Sequence, residues 1–66
     1  MIKNNILKQL KENLLLRNKL AVKMNCHSIT IERWIKNNDI KLTCFPCLEI
    51  ISKELNIPIK EILIKN

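Results

Sequence analysis

The residues Leu20-Ala21-Val22-Lys23-Met24-Asn25-Cys26-His27-Ser28-Ile29-Thr30-Ile31-Glu32-Arg33-Trp34-Ile35 decide how this chain folds, because two helical patterns meet in them across a gap that holds only a turn. Before the gap, Leu20 and Met24 repeat at helical spacing. After it, Ile31, Trp34 and Ile35 form an apolar face, with Glu32, Arg33 and Lys36 on other faces. Between them stands Asn25, the kind of residue other than glycine best able to take the positive φ of a tight interhelical turn. Ser28 is placed to cap the second of the two helices, predicted over residues 28–36, through its side-chain oxygen.

Working outward, Ile2, Ile6, Leu7 and Leu10 predict an amphipathic helix over the first dozen residues. Asn13 breaks or caps, and a second helix is expected over 14–24 with Leu15, Leu20 and Met24 inward and Arg17, Lys19 and Lys23 outside. Downstream, Asn37, Asn38 and Asp39 are turn formers. Thr43 is the expected cap of a fourth helix, with Pro46 in its first turn and Phe45, Leu48, Ile51 and Leu55 facing inward. Asn56 suits a helix C-cap, and Ile57-Pro58 opens a short last helix burying Ile62 and Leu63. The expectation is one all-α domain of five helices over residues 1–66.

Composition narrows the partners. A chain of 66 residues can hold one core, and 47% hydrophobic residues suffice to build it. With no Gly and only Pro46 and Pro58, the punctuation of β-hairpins and glycine-rich phosphate loops is missing. Twelve Lys and Arg against six Asp and Glu give a formal charge of +6, which favours a polyanion as partner. The apolar stretches fall far short of the roughly 20 residues that span a bilayer, and the first residues do not have the pattern of an export signal. A cytoplasmic, nucleoid-associated protein is therefore expected, with its three Cys as reduced thiols.

The stretch 20–35 resembles, without a gap, the helix-turn-helix of the Cro and phage-repressor (Xre-like) family. The resemblance extends to Thr30-Ile31 with Trp34 and to Leu55-Asn56-Ile57-Pro58-Ile59-Lys60-Glu61-Ile62-Leu63, similar to that family's fourth-to-fifth helix junction. It departs where the usual turn Gly is Asn25, where the usual hydroxyl cap is His27, and where a buried ion pair between the first and third helices would be Leu10 and Ile35. An apolar pair can replace a buried ion pair without loss of stability, so these two side chains are expected to touch. The resemblance implies a five-helix lambda-repressor-like domain whose recognition helix enters the major groove of double-stranded DNA. By position, Ser28, Ile29 and Arg33 would face base edges, while Arg17, His27, Lys36 and Lys41 would meet phosphates. It further implies a two-fold dimer on a palindromic operator, with Ile50, Ile59 and Ile64 in the contact, and a role in transcription regulation.

Other chemistries fit less well. Cys44 and Cys47 form a C-x-x-C that, with Cys26 and His27, offers four zinc ligands, but adjacent residues in a turn can hardly both reach one metal. Small core side chains are the favoured reading of all three Cys, and a thioredoxin-like role lacks the surrounding strand pattern. His27 has no predictable triad partner, and so small a domain has no room for a deep pocket, so neither an enzyme, a cofactor nor a small-molecule ligand is expected. Trp34 belongs to the core face, and the Lys-rich first helix is a solvated face whose apolar side the core needs, not a membrane anchor. The alternative to DNA is the same fold used against an acidic protein, as an antitoxin or polymerase-binding factor of a phage or mobile element.

Overall fold

Four α-helices and two 3₁₀ turns account for the helical structure among residues 1–64, the residues that the computed structural model describes. They are α1 (Asn4–Glu12), α2 (Leu14–Lys23), α3 (Ser28–Asn37) and α4 (Phe45–Leu55), with the 3₁₀ turns at Ile40–Thr43 and Ile59–Glu61. The radius of gyration is 10.5 Å, close to the value of about 11 Å expected for a folded chain of this length. The fold is therefore all-helical and compact. Helix α2 lies at its centre, packed on α3, α4 and α1.

Asparagine stands at the end of all four helices, and at three of them it acts in one way. Asn25, Asn38 and Asn56 have φ of 53°, 48° and 54°, the left-handed conformation that usually calls for Gly. The residue after each then reaches back five positions: the N–H of Cys26 to the carbonyl of Ala21 at 3.0 Å, of Asp39 to Trp34 at 2.8 Å, and of Ile57 to Ser52 at 3.1 Å. These bonds satisfy carbonyls that a helix end otherwise leaves open. A chain with no Gly thus has its sharp turns placed by Asn.

The core is one cluster. Ile6, Leu7 and Leu10 of α1, Leu16, Leu20 and Ala21 of α2, Ile31 and Ile35 of α3, and Cys47, Leu48 and Ile51 of α4 are buried in it, together with Ile2, Leu42 and Ile62. Leu10 and Ile35, the expected apolar pair, both belong to it. Within the run Leu14-Leu15-Leu16 the sequence reading picked the wrong member: Leu15 is exposed and Leu16 buried. Only Leu16 stands four residues before Leu20, whereas Leu15 is followed at that spacing by Lys19.

Other local expectations need correction. Ser28 is the first residue of α3 and not its cap; the cap position is His27, whose side chain makes no capping bond. Thr43 closes the first 3₁₀ turn through a bond from its Oγ1 to the carbonyl of Ile40, and Cys44 takes the cap position of α4. Phe45 is exposed, and Cys47, two residues on and so on the opposite side of the helix, is buried.

Four α-helices replace the expected five because the last segment has another partner. Ile2 and Leu63 form an antiparallel bridge, with the N–H of Lys3 on the carbonyl of Ile62 at 3.0 Å and the N–H of Ile64 on that of Met1 at 2.8 Å. Residues committed to that pairing cannot extend a helix, and a segment this short does not nucleate one unaided. The same pairing pulls Ile2 out of α1, which starts at Asn4. Asn38 locks the arrangement: its Oδ1 accepts the N–H of Ile2 at 3.2 Å and its Nδ2 donates to the carbonyl of Ile2 at 3.0 Å.

Candidate nucleic-acid interface

The outward face of α3 is built by subtraction. Ile31 and Ile35 are anchored in the core, so the opposite stripe of the helix, Ser28, Ile29, Glu32, Arg33 and Lys36, is left in solvent. Ile29 is 63% exposed, an apolar side chain that the core does not use. At the start of the stripe, His27 and Ser28 join Asn18, Val22 and Asn25 around a shallow depression between α2 and the turn. The two-helix unit is held rigidly by Asn13, whose side chain caps α2 at the N–H of Leu16, and by the Asn25 turn.

The structure brings together two of the four side chains expected to meet phosphates, Arg17 and Lys36, and leaves His27 and Lys41 apart from them. Arg17 and Lys36 border one depression with Lys11 and Glu32, between the end of α1 and α3. Arg17 also has an internal task unseen in the sequence. Its Nη1 donates to the carbonyls of Leu10, at 2.9 Å, and Lys11, at 2.5 Å, closing the C-terminus of α1. Its Nη2 and Nε make no hydrogen bond among the described residues. Lys41 lies past the other end of α3, its Nζ 5.8 Å from the centroid of the Trp34 ring and 3.9 Å from Asp39 Oδ2. It stands apart from the His27 end of the surface.

The ion pairs among the described residues join Lys3 to Glu61, Lys19 to Glu54 and Lys41 to Asp39. Lys11, Arg33 and Lys36 have no such partner, and neither do Lys8, Lys23, Lys53 and Lys60, so the α1 and α3 side shares the unpaired positive charge with the rest of the surface. Glu32 was not singled out from sequence, yet it lies in the middle of the stripe. Beside a phosphate it repels; beside a base edge it accepts from a cytosine amino group.

Of the expected dimer residues, Ile50 and Ile59 are half-buried against the core, which uses them more than the sequence suggested, and Ile64 is exposed. Ile50 and the exposed Val22 floor a groove between α2 and α4, rimmed by Lys19, Lys23, Lys53 and Glu54.

The sulfur groups collect beneath the turn. Cys26 and Cys44 are half-buried, Cys47 is buried, and Cys44 Sγ lies 3.9 Å from Met24 Sδ. No group of three or more His, Cys, Asp or Glu among the described residues is arranged to hold a metal ion. Burial first, then a hydrogen bond shared with Cys44 and the charges of Cys44 and Cys26, pushes the Cys47 thiol from 9.0 up to about 12. The thiol therefore stays neutral in the fold. Above the ordinary value the unfolded chain releases this proton while the folded chain retains it, so stability is complete below that value and is lost as pH rises toward the folded one. Urea midpoints are expected to fall more steeply for the wild type than for Cys47→Ala above about pH 9, the difference reaching up to about 1.4 kcal/mol per pH unit. Parallel curves for the two proteins would contradict the assignment.

No helix among the described residues is long and apolar enough to cross a membrane. No family model, curated protein or solved structure matches the chain.

Proposed function

We propose that this chain is a DNA-binding transcription regulator with a helix-turn-helix of the Cro and phage-repressor type, α2 and α3 being its two helices. The observation that carries the reading is the free stripe of α3: Ser28, Ile29, Arg33 and Lys36 are exposed on a helix anchored by Ile31 and Ile35, and its cations have no acidic partner among the described residues. In this reading α3 enters the major groove, where the Arg33 guanidinium bonds guanine O6 and N7 together and Ile29 meets a thymine methyl. Arg17, His27, Lys36 and Lys41 hold phosphates and set register. A two-fold dimer joined through Ile50, Ile59 and Ile64 would place two such helices on a palindromic site.

Gel shifts on random duplex DNA over a range of salt test this. A DNA binder loses affinity linearly in log salt, and Lys36→Ala is expected to weaken every sequence alike and reduce the slope by about 1. A flat salt dependence would defeat the proposal. The groove floored by Val22 and Ile50 with three lysines on its rim favours a second reading, in which the same fold grips an acidic protein. That reading predicts no duplex binding that depends on Arg33.

A further inference from the structure

We propose that Cys44 and Cys47 are a thiol–disulfide exchange site, which a small-molecule disulfide such as oxidised glutathione converts to an intramolecular disulfide at the start of α4. The inference stands apart from the DNA reading and rests on how the two residues are placed at the start of α4. Cys44 occupies the cap position of α4 and its carbonyl accepts the N–H of Leu48 at 3.0 Å, so its backbone already lies on the path of the helix. Cys47 follows three residues later, a spacing that helical geometry converts to about 5 Å between Cα atoms. Disulfides span roughly 4.4 to 6.8 Å between those atoms, so this spacing falls within the range of a bridge. The two thiols are also near enough for Cys44 to act on the titration of Cys47, while Cys44 Sγ itself lies 3.9 Å from Met24 Sδ.

Exposure assigns the order of events. Cys44 is half-buried and open to a reagent, while Cys47 is fully buried beneath it. The Cys44 thiolate attacks one sulfur of the small disulfide, forming a mixed disulfide and releasing one thiolate. That thiolate, or another in solution, takes the Cys47 proton. The Cys47 sulfur then attacks Cys44 Sγ, forming the internal bond and expelling the second small thiol. Two protein thiols are oxidised to one disulfide, and one small disulfide is reduced to two thiols. Cys26, half-buried in the neighbouring turn, is left as the free thiol. The Cys47 thiol, held neutral by burial, makes the second step the slower one, so the mixed disulfide precedes closure.

The test equilibrates the reduced full chain with oxidised glutathione, followed by alkylation under denaturing conditions, intact mass and peptide mapping. The expected product has lost two hydrogens, carries no glutathione, retains one alkylatable thiol at Cys26, and yields a peptide linked between Cys44 and Cys47. Cys47→Ala, chosen because a small apolar side chain suits its buried position, is expected to stop at a glutathione adduct on Cys44. Helical circular dichroism verifies that this variant is folded, and Cys44→Ser, altered at the half-buried position, is expected to form no internal disulfide. Three alkylatable thiols in the wild type after equilibration, a stable glutathione adduct on the wild type, or a bridge to Cys26 would each overturn the proposal.

Discussion

Leu20→Ala is expected to destabilise the fold by about 3 kcal/mol, within the 2 to 5 kcal/mol typical of emptying a fully buried leucine site. Leu20 is 0% exposed in the central helix, packed where α2 meets its neighbours, and truncation removes both its transfer energy and its contacts. At roughly 0.05 to 0.15 kcal/mol per residue, a domain of this size has in total only about 3 to 10 kcal/mol. The loss is therefore a third or more of the whole, and the melting temperature should fall by about 12 °C or more. Thermal melts followed by far-ultraviolet circular dichroism measure it. Leu15→Ala is the paired control: with 62% of its surface already in solvent, it should change stability by no more than about 0.5 kcal/mol. Equal losses from the two substitutions would show that the register of α2 is not the one described.

The second large effect belongs to Arg33, and it is an effect on choice among sequences. If α3 reads bases, Arg33→Ala removes the only guanidinium on its outer stripe, the planar group that matches the two acceptors of a guanine, lowering affinity for the preferred site by about 1 to 3 kcal/mol. Binding to unrelated duplex should fall far less, by the single phosphate-neutralising charge. The ratio of the two affinities is thus expected to drop about 5- to 150-fold, whereas Lys36→Ala leaves it unchanged. Selection from a random duplex pool supplies the preferred site, and fluorescence anisotropy at fixed salt supplies the ratio. Arg33 is exposed and forms no ion pair among the described residues, so its removal should leave the melting temperature in place and separate recognition from folding. Should the ratio stay put, Arg33 does not read bases.

The surface bearing Arg33 was legible because its position follows from its opposite face. Once Ile31 and Ile35 are buried, helical periodicity alone sends Ser28, Ile29, Arg33 and Lys36 to solvent. Arg17 shows where such reasoning stops. Its charge is plain in the sequence, but its bonds to the carbonyls of Leu10 and Lys11 depend on how α1 meets α2, and no local pattern encodes that. Glu32 was passed over because one carboxylate among basic neighbours reads as ordinary surface until the stripe is assembled. The thiols were split in the same manner: Cys44 and Cys47 are neighbours in sequence, while Cys26 joins them through the packing of α4 beneath the turn.

What the amino-acid order determined by itself is whatever the backbone settles within a few residues: an all-helical chain, the extents of its middle helices, and turns at Asn25 and Asn56, where a side-chain amide tolerates positive φ. Tertiary structure alone decided that Phe45 lies outside and that Leu63 pairs with Ile2 where a fifth helix was expected. The physical reason is that these outcomes compare alternatives of nearly equal local energy. A short terminal segment gains little from helix or strand alone, so contacts with distant residues make the choice.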